Sequence, residues 1–364
     1  MTHSTLSLSP QDLLWQAVST GDEHAATSTV FDALEHGLPA QEVLLELIAP
    51  VQRRVGEEWA ANRLTVAQEH AASAINDRAI AALSHRTAGA AGTAAGTGAA
   101  GKGRVVVACV DGEWHGLPAR LLSEVLKLRG WTVDHLGAQV TTDHLIEHIH
   151  QTGPDLVALS SSIATRLPTA HAAITAVQAT GTPVLVGGAA FGRHGQYAAL
   201  LGADAWAPDA KAAADRLDQG PLKRPAQAHQ PIDDLPHLDD QEYTMVARTK
   251  SRLVRTVMAG LEDRFPALRA YTPAQRGHTA EDVAHITDFL ATALYTDDPE
   301  LFTTFLTWTA EILTARGVPA RSLIPALDIL GEELKDFPRA AGMLAQATDR
   351  LTQPHRGRLA REQA

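Results

Sequence analysis

Glu113-Trp114-His115-Gly116 follows directly on the apolar run Arg104–Val110. A carboxylate two residues before a histidine is metal-ligand chemistry. A neutral imidazole ligates through one ring nitrogen, and a carboxylate on the other fixes its tautomer and orientation. Two further clusters close apolar runs in the same way: Ser160-Ser161-Ser162 and the pair Gly187-Gly188. Cys109, the only cysteine, lies inside the first of these runs. Its place there makes it a small core residue rather than an attachment point for a cofactor, and a single cysteine excludes an intramolecular disulfide and fits a reducing cytoplasm.

The elements that carry these residues alternate. Val105–Val110, Thr132–Leu136, Leu156–Leu159 and Val184–Val186 are continuous apolar runs of strand length. Between them, Ala119–Arg129, Thr142–Gln151 and Leu167–Ala179 have helical length, and a last helix near Gln196–Leu201 leads into Ala205-Trp206. This alternation predicts a doubly wound parallel sheet. Such sheets bind ligands beyond the carboxyl ends of their strands, where His115, Ser160 and Gly187 all fall.

Residues 1–86 predict a four-helix bundle. Ser9-Pro10 is a helix start, and Leu34, Leu38, Val43, Leu44, Leu47, Ile48 and Val51 keep the helical period. Thr65 is placed to cap the last helix of the four. Residues 87–103, almost wholly Ala, Gly and Thr, read as a flexible linker before the α/β domain of residues 104–208. Residues 209–240, rich in Pro, Gln and Asp, read as a connector, and residues 241–364 as an all-helical domain. Of the 364 residues 45% are hydrophobic and 20% charged, as in a soluble multidomain chain. A net charge of −11 argues against a nucleic-acid surface, and no segment offers the roughly 20 uncharged apolar residues of a membrane span. No catalytic output domain is recognisable, so the chain is not expected to be an enzyme.

Taken together, Glu113-x-His115, Ser160-x-Ser162 and Gly187-Gly188 resemble the signature of cobalamin-binding domains of flavodoxin-like (Rossmann-type) fold. The resemblance implies that His115 is the lower axial ligand of cobalt, with Glu113 behind it and Gly116 in the same motif. Ser160, Ser162 and Thr165 would line the pocket of the nucleotide tail, and Gly187 and Gly188 would let backbone approach that tail. Pro118 stands where the family has the last glycine of its first element.

The bundle adds a second likeness. Trp59 followed by Glu69-His70 resembles the cap of photoreceptors that use adenosylcobalamin, in which these residues lie around the adenosyl group. In the light-dependent repressors of that family the tryptophan is followed by a histidine that ligates cobalt after photolysis; here Ala60 follows. His70 is then the candidate upper ligand, with water the other. The repressors also carry a helix-turn-helix domain, whereas this acidic chain starts directly in its bundle, so no DNA binding is expected.

The order bundle, cobalamin domain and helical domain is most similar to the photocobilins, which bind biliverdin as well. That likeness implies a globin-like bilin pocket in residues 241–364, with Tyr271, Arg276, His278, His285, Tyr295, Phe305 and Trp308 of suitable chemistry and no cysteine for a covalent link. The expected function is light sensing: loss of the adenosyl group rearranges the cap and changes a homo-oligomeric state, with a downstream signalling protein as partner. The alternatives are a corrinoid methyl carrier of a methyltransferase system, and a cobalamin sensor whose helical domain only binds partners.

Overall fold

The computed structural model describes residues 8–92, 102–224 and 235–353. Most of the expected linker and part of the expected connector lie outside these residues. The chain divides into two compact units, residues 1–234 and 235–364.

Unit 1 opens with helices that pack on one another: α1 (Pro10–Thr20), α2 (Glu23–Glu35), α3 (Ala49–Ala60) and α4 (Val66–Gly92). Ser9 caps α1 through Asp12 N, and Gly21 closes it in the left-handed region. Asp22 caps α2 in turn. Val43–Ile48, just before α3, is a π-helical segment whose Val43, Leu44, Leu47 and Ile48 are all buried. α4 runs to Gly92, past the expected end of the bundle at residue 86.

The rest of unit 1 is a five-stranded parallel sheet in the order β2-β1-β3-β4-β5. The strands are β1 (Arg104–Cys109), β2 (Thr132–Gly137), β3 (Leu156–Ser160), β4 (Val184–Gly187) and β5 (Ala205–Ala207). Its helices are α5 (Gly116–Leu128), α6 (Thr142–Thr152), α7 (Leu167–Ala179), α8 (Gln196–Leu200) and α9 (Ala210–Asp218). This is the expected doubly wound α/β fold, with its switch point between β1 and β3. Two boundaries differ from expectation. α5 begins three residues early because Pro118 fits the first turn of a helix, where its missing N–H costs nothing. The expected connector begins with α9, whose buried Ala213, Ala214 and Leu217 pack it on α5.

Bundle and sheet share one hydrophobic core, running from Leu14 and Ile48 through Ile80 to Val107, Leu126 and Leu217. Arg129 at the end of α5 reinforces the junction, giving Nε to Gln41 Oε1 at 2.8 Å and Nη1 to Asp215 at 2.6 Å.

Unit 2 is all-helical among its described residues: α10 (Glu242–Arg264), α11 (Pro273–Thr296), α12 (Pro299–Ala315), α13 (Ile324–Glu333) and α14 (Pro338–Thr352). Its core is Val246, Leu253, Leu290, Phe302, Leu306, Leu330 and Leu344. Buried Glu242 caps α14 by accepting from Arg339 N and Ala340 N. No helix among the described residues of either unit is long and apolar enough to cross a membrane.

Candidate cobalamin site

The β1 register sets Cys109 beside Ser160, and Ser160 beside Gly187. The three motifs therefore leave adjacent strand ends together. Glu113 is fully buried at their centre. Its Oε1 accepts from Trp114 N (2.9 Å), His115 N (3.0 Å) and His115 Nδ1 (2.6 Å). Its Oε2 accepts from Ser161 Oγ (3.0 Å), Ser162 N (2.7 Å) and Ile163 N (3.1 Å). Burial alone would raise the carboxyl pKa, but these bonds and the His115 charge outweigh it and hold Glu113 down at about 2.

An ionised carboxylate only accepts, so His115 must donate from Nδ1 and present the Nε2 lone pair outward. The ring is 54% exposed at the mouth of the crevice. The Glu113 hydrogen bond raises the imidazole pKa, helped by the more distant charge of Glu69, which brings the start of α4 within electrostatic reach of His115. Cys109 is buried beneath, its thiol pushed up to about 12 by burial and by Glu113, as expected of an inert core residue.

Gly188 has φ +101, and a Cβ there would stand 2.2 Å from the Ser161 carbonyl oxygen. Ser161 N donates to Gly187 O at 3.0 Å, so the β3 and β4 loops are stitched backbone to backbone. Ser162 and Thr165 are half-buried along this seam and Ser160 is buried. The expected pair Ser160 and Ser162 frames the crevice, but the side chain that holds Glu113 is Ser161. A strict period-two reading assigns Ser161 to the opposite face; the chain leaves the strand there, and alternation no longer applies. Gly116 is half-buried at the first position of α5.

In the bundle, Glu69 and His70 lie in the first turn of α4. Glu69 Oε2 accepts from His70 Nδ1 at 2.5 Å, and Oε1 from Ser73 Oγ at 2.8 Å. Ser73 Oγ in turn accepts from Gln52 Nε2 at 2.7 Å, and Gln52 Oε1 from fully buried Asn76 at 2.8 Å. Every donor in this chain runs toward the Glu69 carboxylate. His70 is consequently held like His115, with Nε2 outward and the ring 74% exposed. Trp59, at the end of α3, is half-buried against the bundle core. Sequence inspection found Glu69 and His70 but not Gln52, Ser73 or Asn76, whose positions on two helices meet only in the packed bundle.

The seven residues expected around a bilin do not share one pocket. α11 is about 36 Å long at 1.5 Å per residue, with Tyr271 before its start and Tyr295 near its end. Tyr295 is buried and packs edge-on against Tyr243, Tyr271 against Phe265, and Arg276 pairs with Glu262 at 2.7 Å. His278 is exposed and pairs with Glu281. The remaining three fall together: His285 lies one turn from Phe289, which stacks on Phe305 at 3.7 Å, with exposed Trp308 6.5 Å beyond.

Fold and crevice define a flavodoxin-like domain that presents one exposed imidazole held by a buried carboxylate. Among the described residues no three or more His, Cys, Asp or Glu side chains converge to hold a metal. The donor set therefore suits a metal that brings its equatorial ligands with it, as cobalt does in a corrin. A model described as a B12 binding domain matches residues 103–217, and a second one so described matches residues 11–84. Unit 1 is thus a cobalamin-binding module built of a helical and an α/β domain. The chain is 32% identical over 183 residues to the HTH-type transcriptional repressor CarH of Myxococcus xanthus, covering 49% of this chain and 57% of that protein. It therefore spans little more than half of that relative. Among solved structures, the Methanosarcina barkeri monomethylamine corrinoid protein superposes with TM-score 0.50 at 18% identity, over 58% of this chain and 97% of that one, which speaks to the fold.

Proposed function

We propose that the protein is a light sensor using adenosylcobalamin, with His115 as lower axial ligand and Trp59, Glu69 and His70 around the upper group. The carrying observation is the pair of carboxylate-held imidazoles, His115 on Glu113 and His70 on Glu69, both with Nε2 outward. Bound adenosylcobalamin would supply a cobalt–carbon bond that green light breaks. The protein supplies the rest. Trp59 and Glu69 would make contacts available only while the upper group is present, and its loss would bias the bundle between two arrangements. Ala60 offers no ligand. His70, oriented by Glu69, is the side chain available to take the vacated position, in place of the histidine that follows the tryptophan in the light-dependent repressors. The readout is a change in homo-oligomeric state, passed to a signalling partner in the cytoplasm.

Biliverdin belongs to the same reading in a narrower form. The aromatic cluster of Phe289, Phe305 and Trp308, with His285 one turn from Phe289, would supply the aromatic wall and polar edge that an open-chain tetrapyrrole requires.

The test is to load the full chain with adenosylcobalamin in the dark, illuminate with green light, and follow absorbance and elution volume. Bleaching of the alkylcobalamin bands together with a shift in size supports the sensor. Uptake of methylcobalamin alone, with no response to light, would replace it by a corrinoid carrier. Adding biliverdin should produce a red absorbance band; without one, unit 2 is left as a partner-binding domain.

A further inference from the structure

Arg166 ends the short turn Ala164–Arg166 that leads from the serine loop into α7. Its guanidinium lies on the loop after β1: a Cβ built on Gly112 would stand 2.8 Å from Nη1 and 3.1 Å from Cζ. Gly112 has φ +77, so arginine packs there on bare backbone, one residue before Glu113. Nε is buried and makes no hydrogen bond. Among the described residues no carboxylate bonds the guanidinium. Glu113 cannot serve, since its two oxygens are already taken by donors from both loops.

A half-buried guanidinium with an orphaned nitrogen leaves charge-assisted hydrogen bonds unmade, and these are among the strongest available to a side chain. The start of α7 points the same way. No side chain caps this thirteen-residue helix, and Pro168 occupies its first turn. Leu167 N already bonds Ala164 O and Pro168 has no N–H, so the helix start adds only the positive end of its dipole beside Arg166. The orphaned guanidinium at the rim of the crevice is the feature that calls for negative charge.

Cobalamin carries one anionic group, the phosphodiester that joins the corrin to its nucleotide tail. We propose that Arg166 binds this phosphodiester and thereby makes the site selective for corrinoids with a complete tail. The assignment rests on unit 1 holding cobalamin, and it names a specificity-determining residue that the cobalamin signature does not contain. Arginine suits the role better than lysine because its planar fork donates two parallel bonds to phosphate.

The full chain, as wild type, Arg166→Met and Arg166→Lys, is titrated in the dark with adenosylcobalamin and with adenosylcobinamide, which keeps corrin and upper group but lacks the tail. Dissociation constants are read from absorbance. Arg166→Met should weaken adenosylcobalamin by about tenfold or more while leaving adenosylcobinamide within about twofold. Arg166→Lys should retain part of the preference. Equal weakening of both ligands, or no change in either, overturns the assignment and leaves Arg166 as a packing residue. The ratio of the two constants within one preparation does not depend on the fraction folded, so a less stable variant still decides the question. If the wild type takes up neither corrinoid, the cobalamin reading itself has failed, which is a separate result.

Discussion

A buried carboxylate that accepts three hydrogen bonds on each oxygen leaves no place for an amide. In Glu113→Gln, one oxygen becomes an NH2 group facing either Trp114 N, His115 N and His115 Nδ1, or Ser161 Oγ, Ser162 N and Ile163 N. Donors would then face donors, and several backbone N–H groups would be left unpaired. The expected cost is about 2–3 kcal/mol, measured by urea denaturation, with His115 no longer held in one tautomer. A stability loss below about 0.5 kcal/mol would show that the network is not what fixes the loops. Gly188→Ala acts at the same seam, because its methyl would collide with the Ser161 carbonyl rather than with a side chain able to swing away. Loss of cobalamin uptake is expected, checked by absorbance after gel filtration. At this scale the chain announces its ligand well, since Glu113, His115 and Gly188 are each recognisable from type and spacing. Ser161 and Arg166 are not. Their roles arise from where two loops fold over each other, which neither period nor propensity encodes.

The elements that carry the site were largely foreseeable, because continuous apolar runs and capped helices are local signals. α9 was missed because its Ala-rich, charged sequence resembles the connector that follows it, and only packing on α5 makes it part of the fold. The seven bilin candidates do not gather for a related reason: Tyr271 and Tyr295 stand at opposite ends of one long helix, and only His285, Phe305 and Trp308 fall near one another. Between elements, His135 on β2 and Ser123 on α5 lie 2.8 Å apart. Burial, with Arg120 and Lys127 nearby, lowers the His135 pKa from its ordinary value of 6.5. Above that value the ring is neutral in both folded and unfolded chains. Below it the unfolded chain takes up a proton that the folded chain does not, so stability falls as pH drops from about 6.5 toward the lowered value. His135→Asn should therefore lose less melting temperature between pH 7 and pH 5.5 than the wild type. Equal losses in the two proteins would remove His135 as a source of acid sensitivity.

The chain as a whole joins two units with separate cores, and both B12-binding matches lie in the first. A two-pigment sensor built this way should load its pigments independently. His115→Ala removes the imidazole proposed to lie beneath the corrin and changes a residue of unit 1 alone. Its effect on the first unit is to unload Glu113 Oε1 of one ring donor while leaving the backbone donors in place, so the fold should survive and only ligation should change. Adenosylcobalamin should then bind weakly or with its own base on the cobalt, visible as an altered dark spectrum and the absence of a light-driven size change. Biliverdin supplied to the same variant should give the red band of the wild type at the same position and height. An unchanged cobalamin spectrum would take the axial role from His115. A red band lost with the histidine would mean that the two sites depend on each other, and that unit 2 cannot be treated as an independent pigment domain.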